Sequence, residues 1–368
     1  MVLEMMPARP WLASVVSSGL QPGCPRELAE APNALLAAAQ KEGVVSLLDW
    51  RLRQAKAVSS ISPAFAAVAR DRALSSMMLE GEARNVLNNM DAAGLPGLLL
   101  KGSALAYWAY PEPHLRACND VDLLLPSREA AEGLADRLCA AGFERSDSSG
   151  DLVAYELMCR HRISEEWQLE IDIHWRLANS PLFSDAFTFD ELMAESIALP
   201  RLAPNARGLG PVHALLHACM HRALNLSIGV DDKLKWLYDM IVLIDVFTPA
   251  DWQKMERIAI DKKLAGVVLS GLEMAAATFQ RELPADIAAA LGQAAASEPL
   301  DAQRLSDWHY MQRKTFEALP TRGLRLRWLW QRVFPSRDYL AYLYGNEHQS
   351  YAALMFERFR RARRRVRG

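Results

Sequence analysis

The stretch RACNDVDLLLP, Arg116 to Pro126, decides how the chain is read. Its second half, Val121 to Leu125, is the continuous apolar run of a strand entering a core, yet Asp120 and Asp122 stand at its entrance. On a strand, side chains two apart share a face. Two carboxylates side by side repel, and withdrawing them from water is costly, so a strand made only for burial would not begin this way. Taken alone, Asp120 reads as a turn residue after Asn119. Asp122 lies inside the strand pattern, and the pair asks for a cation.

Working outward, LLLKGSALAYWAY upstream gives a short buried strand at Leu98 to Leu100, a turn at Lys101-Gly102-Ser103 and a helix over Ala104 to Tyr110. PEPHLRACN is a loop. Downstream, SREAAEGLADRLCAAG predicts a helix from Ser127 to Gly142, and LVAYELMC (152–159) a strand. In WQLEIDIHWRL, Leu169, Ile171 and Ile173 alternate with Glu170, Asp172 and His174, so the three polar side chains share the other face of a strand.

If the two strands are neighbours, Asp120, Asp122 and Asp172 converge, with Glu170 and His174 beside them. Hard divalent cations take oxygen ligands and usually keep one or two protein carboxylates beside substrate phosphates, so magnesium or manganese answers the electrostatic cost. The Gly102-Ser103 turn offers backbone N–H groups and a small hydroxyl to an anion, as far as a glycine lets a phosphate approach; Ser103 also suits a helix N-cap. Lys101 and Arg116 are candidates to add positive charge at the phosphates, Arg116 through its bidentate fork. Their plainer roles are a solvated strand end and an ion pair with Glu112.

LLLKGSALAYWAYPEPHLRACNDVDLLLP resembles the signature of the nucleotidyltransferase superfamily, the polymerase-beta-like fold, in which a strand, a Gly-Ser turn and a helix lead to a DxD strand. With EIDIHW downstream, the pattern is similar to uncharacterised bacterial nucleotidyltransferase-like proteins. The resemblance covers Leu98 to about Leu177 and extends more weakly to LLHACMHRA, KLKWLYDM and FPSRDYL. It implies that Gly102 and Ser103 contact a nucleoside triphosphate, that Asp120 and Asp122 hold two magnesium ions, and that Asp172 binds one of them and helps deprotonate an acceptor hydroxyl. Transfer of a nucleoside monophosphate to an unidentified acceptor, a small molecule, sugar or peptide, follows. The rivals are phosphate transfer on the same fold and a non-catalytic nucleotide-binding regulator or membrane-docked scaffold.

With 368 residues, 51% of them hydrophobic, the chain can bury a sizeable core divided into subdomains. The expected class is α+β, a small mixed-sheet core between helical regions: residues 1–95 helical, 96–200 the nucleotidyltransferase core, 201–320 helical, 321–368 a basic segment. Helical spacing runs from Asn33 to about Ala93, closed by Gly94, and resumes after Pro211. His213, His217 and His221 fall on one helical stripe; without a completing carboxylate or cysteine, an interior or cleft-lining face is preferred to zinc. Lys235 and Asp239 read as an i, i+4 ion pair and Trp236 as core, with Asp239 a candidate to face the nucleotide.

Five scattered cysteines argue against a disulfide framework and for a reducing cytoplasm. The apolar stretches are too short for a membrane span, and Glu4, Arg9 and Pro10 interrupt any signal-peptide core. Net charge is −2, but from Thr321 onward there are twelve arginines, no lysine and three acids, a surplus of nine positive charges that leaves the rest of the chain acidic. Arginines mixed with Trp and Phe in RLRWLWQRVFP and FERFRRARRRVRG suit an anionic membrane surface at the cytoplasmic face. Nucleic acid is the less favoured partner, because the acidic remainder repels a long polyanion.

Overall fold

The computed structural model describes residues 8–18, 32–55, 63–146, 155–164, 167–344 and 349–367. Four helices come first: α1 (Ala8–Ser18), α2 (Pro32–Glu42), α3 (Val45–Gln54) and α4 (Pro63–Ala92). The mixed segment holds β1 (Leu98–Leu99), α5 (Lys101–Leu105), β2 (Asp120–Leu124), α6 (Arg128–Ala140), β3 (Glu144–Ser146), β4 (Glu156–Arg162), β5 (Gln168–His174), α7 (Phe189–Ala194), β6 (Ile197–Ala198) and β7 (Arg207–Gly208). Helices then return: α8 (Pro211–Ser227), α9 (Leu234–Ile244), α10 (Pro249–Asp261), α11 (Ala265–Phe279), α12 (Ala285–Ala295), α13 (Trp308–Ala318), α14 (Arg322–Val333), α15 (Arg337–Tyr344) and α16 (Tyr351–Arg367). The seven strands form a mixed sheet, so the fold is α+β with helical flanks, as the sequence predicts.

The chain divides into two compact units. The first comprises residues 1–88, 98–121 and 191–311. Its centre is α8, packed against α9, α10 and α11, with α1 lying on α3 and α11. This is where its apolar periodicity goes: Leu215, Leu216, Met220 and Ala223 of α8 are fully enclosed. Its strands are short, with β7 parallel to β1 and antiparallel to β6. Thr248 starts α10 with a reciprocal cap, its hydroxyl accepting from Asp251 N–H while the Asp251 carboxylate accepts from Thr248 N–H, and Pro249 occupies the first turn, where its missing N–H costs nothing.

The second unit comprises residues 89–97, 122–190 and 312–368, with strands in the order β3-β4-β5-β2. Antiparallel β4 and β5 pair over seven residues, Glu156 opposite His174 and Met158 opposite Asp172. Helix α6 begins where the sequence places it: Ser127 accepts from Ala130 N–H at 3.2 Å, and Ala131, Leu134, Ala135 and Leu138 form the buried stripe that seats it on the sheet side. The predicted strand at 152–159 lies later, at β4. Residues 152–154 are outside those described. The predicted Lys101-Gly102-Ser103 turn is already helical, because Leu100 is extended and Lys101 takes a left-handed φ of 49°, which turns the chain within one residue.

Candidate functional site

Asp122 and the polar face of β5 meet in the second unit. Leu125 N–H donates to the His174 carbonyl at 2.8 Å, which locks the end of β2 to the end of β5. Leu169, Ile171 and Ile173 are buried on one side of β5, so alternation turns Glu170, Asp172 and His174 to the other. One ligand atom from each of Asp122, Asp172 and His174 lies within 4.8 Å of the other two. Donors sharing one ion at Mg–O distance are at most about 4.2 Å apart, so the group needs to contract by only about half an ångström to share one cation. The two carboxylates suit magnesium or manganese, and the His174 imidazole, within hydrogen-bond distance of Asp122, stands beside them as their support.

Burial sharpens the point. Asp122 is 2% exposed and His174 3%. A carboxylate this deep is stable only with a compensating partner. His174 supplies part of that: its Nε2 lies 3.2 Å from Asp122 Oδ1, and its Nδ1 lies 3.3 Å from Glu156 Oε2. The imidazole thus stands between two carboxylates, with Glu156 directly across the β4–β5 ladder. Glu156 is absent from the sequence reading; its place opposite His174 depends on strand register, which one sequence leaves open.

The remaining candidates fall as follows. Asp120 opens β2, half-buried, two residues before Asp122 and so on the same side of the strand, but outside the group of three ligand atoms. Glu170 is held by Arg160, its cross-strand partner, whose Nε donates to Oε1 at 3.1 Å. Ser103 donates its hydroxyl hydrogen bond to the Leu100 carbonyl at 2.7 Å.

Arg116 is in the first unit and pairs with Asp239, not with Glu112. Nε and Nη2 each donate to one Asp239 oxygen at 2.7 Å, a buried bidentate pair, and Tyr110 donates its hydroxyl to Asp239 at 2.7 Å. Burial and the neighbouring Asp239 carboxylate push the Tyr110 hydroxyl well above its ordinary range. Glu112 lies instead 3.6 Å from Arg201. A side chain added at Gly102 would place its Cβ 2.6 Å from both Arg116 Nη1 and Cys118 Sγ, so the glycine here makes room for the guanidinium and the thiol. Enclosure raises the Cys118 thiol to about 11, despite nearby Arg116.

With Asp239 engaged by Arg116 and Tyr110, the predicted Lys235–Asp239 ion pair is not formed; among the described residues no acid lies within ion-pair distance of Lys235. The Lys235 stem runs over Gly43, whose added Cβ would fall 2.5 Å from its Cδ. Its ammonium is pushed below the ordinary lysine range by desolvation and by Arg116. The sequence reading gave Lys235 only an ion-pair role, because helical spacing sets Asp239 four residues on.

His213 and His217 are buried on α8, as an interior stripe requires, and His221 meets Trp236 edge to face with centroids 5.2 Å apart. Trp236 is half-buried rather than core. Among the described residues the Asp122, Asp172 and His174 group is the one cluster of three potential ligands, and it includes none of the three stripe histidines.

A family model described as "Uncharacterised nucleotidyltransferase" matches residues 29–280, more than two thirds of the chain and the whole of both clusters. The chain belongs to this nucleotidyltransferase family. The match extends through α8, α9 and α11, so the helical region carrying Asp239 and Lys235 is part of the family's own architecture. No curated protein matches the chain. Among the described residues no helix is long and apolar enough to cross a membrane.

Proposed function

We propose that this family member transfers a nucleoside monophosphate from a nucleoside triphosphate to a hydroxyl or phosphate acceptor on a small molecule, sugar or peptide, with magnesium or manganese held by Asp122 and Asp172. The observation that carries the reading is the convergence of Asp122, Asp172 and His174 on adjacent strands in a nucleotidyltransferase-family chain. The donor set fits a hard divalent cation. Asp122 and Asp172 would hold such a cation, which would supply charge neutralisation at a phosphate and make an acceptor hydroxyl easier to ionise.

The residues divide the remaining work. Asp172, the less enclosed carboxylate, accepts the acceptor's proton, while the more deeply buried Asp122 is oriented toward the ion by His174. Asp120 adds a third carboxylate at the entrance of the strand. Gly102 and Ser103 take the triphosphate by their resemblance to the family turn. Lys101 and Lys235 supply positive charge to its oxygens, and Lys235 suits this because a partly desolvated ammonium gains more from an incoming anion than a solvated one. Arg116 acts by fixing Asp239 and packing on Gly102, which gives it a positioning role. The scattered cysteines support a cytoplasmic setting, and the arginine-rich end supports work at the inner face of a membrane.

The test is Asp122→Asn. It should abolish turnover and metal-dependent nucleotide binding while hardly lowering the melting temperature, since it relieves a buried charge. Full activity in this variant sinks the assignment.

A further inference from the structure

Helix α14 presents its apolar stripe to solvent. Leu326, Leu329, Trp330 and Val333 follow the i, i+3, i+4, i+7 spacing of one helical face and are 69%, 44%, 64% and 46% exposed. The helix is anchored from behind: Trp328 is buried beside Phe316, with centroids 5.9 Å apart, and carries the Arg332 guanidinium on its ring. Thr321 caps the start by accepting from Leu324 N–H. The outward stripe is therefore built in, on a helix whose other side is occupied.

Helix α16 repeats the arrangement. Leu354 and Met355 close a small core with Leu340 and Ala341 of α15, while Phe356 and Phe359 stand 72% and 52% exposed, with Arg360 and Arg361 exposed beside them. Arg358 donates to the Arg332 carbonyl at 2.6 Å and so ties α16 to α14. Ten of the nineteen exposed large hydrophobic side chains among the described residues fall between Leu326 and Phe359. Exposed apolar side chains gathered in this way mark a surface that something covers.

Charge selects what covers it. From Thr321 to the last residue, a stretch that includes both helices, there is a surplus of nine positive charges, and Arg322 and Arg327 are exposed on the helix that carries the stripe. Two copies meeting through this face would set two such surpluses against each other, and a polynucleotide would leave the leucines and valine unused. A surface offering both an apolar interior and a layer of phosphates satisfies both features: the aliphatic and aromatic side chains enter the headgroup boundary while the arginines stay with the phosphates.

We propose that α14 and α16 form a docking face for an anionic lipid bilayer, a function that does not depend on the transferase reading. The test uses the full chain with vesicles of mixed phosphatidylglycerol and phosphatidylcholine, and with phosphatidylcholine alone, beside the Leu326→Ser/Trp330→Ser double variant, with melting curves for both proteins. The full chain sediments with the anionic vesicles and hardly with the neutral ones. The double variant, melting as the parent does, binds about tenfold less. Raising salt from on the order of 0.1 M weakens binding several-fold, because headgroup attraction is screened. Absence of anionic-vesicle binding by the full chain, equal binding by the double variant, or a dimer in solution that the double substitution dissolves would each overturn the proposal.

Discussion

His174 Nε2 lies 3.2 Å from Asp122 Oδ1, inside a sheet interior where both side chains are almost wholly enclosed. A hydrogen bond of this kind holds a carboxylate in the orientation a metal ion needs, and partners behind a ligand are typically worth 10–100-fold in metal affinity. His174→Asn should weaken Mn2+ binding by about that factor in a titration followed by electron paramagnetic resonance. Unchanged Mn2+ affinity in this variant, with affinity lost in Asp172→Asn, removes the orienting role and leaves the metal assignment in place.

The Arg116–Asp239 pair predicts a stability effect distinct from any effect on metal. Removing one partner of a buried, bidentate ion pair leaves a charge without compensation and typically costs about 3–5 kcal/mol. Asp239→Ala should therefore lower stability to urea by about that amount, and Tyr110→Phe by about 1 kcal/mol. An Asp239→Ala protein as stable as the parent contradicts the pairing.

Gly102 gives a packing prediction. Gly102→Ala places a methyl group against Arg116 Nη1 and Cys118 Sγ, both 2.6 Å away, and overpacking of this kind costs about 1–3 kcal/mol. Adding Cys118→Ala removes one of the two clashing atoms, so the double variant should recover part of the loss. Additive destabilisation in denaturant melts would show that the clash is relieved elsewhere.

Acid stability should carry the mark of His213. Burial lowers its pKa below the ordinary 6.5, outweighing the opposing effect of Glu195. The unfolded chain then binds the proton more readily than the folded one, so stability is lost as pH falls from about 6.5 toward the lowered value and regained as it rises. His213→Gln should flatten the slope of melting temperature against pH over that window. A parent whose melting temperature does not change there speaks against a neutral, buried His213.

How much of this was legible in one sequence follows from the distances involved. The alternation of Leu169, Ile171 and Ile173 with Asp172 and His174 is a local property of β5, and the apolar run after Asp120 a local property of β2, so both strands could be read directly; that they are neighbours was a condition of the reading, which gathered Asp120, Asp122 and Asp172 where the structure groups Asp122, Asp172 and His174. Arg116 and Asp239 are 123 residues apart, and only the packing of α9 in the first unit brings them together. Local rules paired each with a close neighbour instead, Glu112 and Lys235. Glu156 reaches His174 through the β4–β5 register, where a one-residue slip would have turned it to the other face. Strands of two residues, such as β6 and β7, have no alternation to read.

The most direct test of nucleotidyl transfer is to supply the purified protein with α-labelled and, separately, γ-labelled ribonucleoside triphosphates, Mg2+ or Mn2+ and a cell extract as the source of acceptor, beside Asp122→Asn. The account predicts α-label in a new product with pyrophosphate released, and none with the variant. Label moving only from the γ position would make the protein a phosphotransferase, and metal-dependent nucleotide binding with neither label transferred would favour a regulator; either result contradicts nucleotidyl transfer.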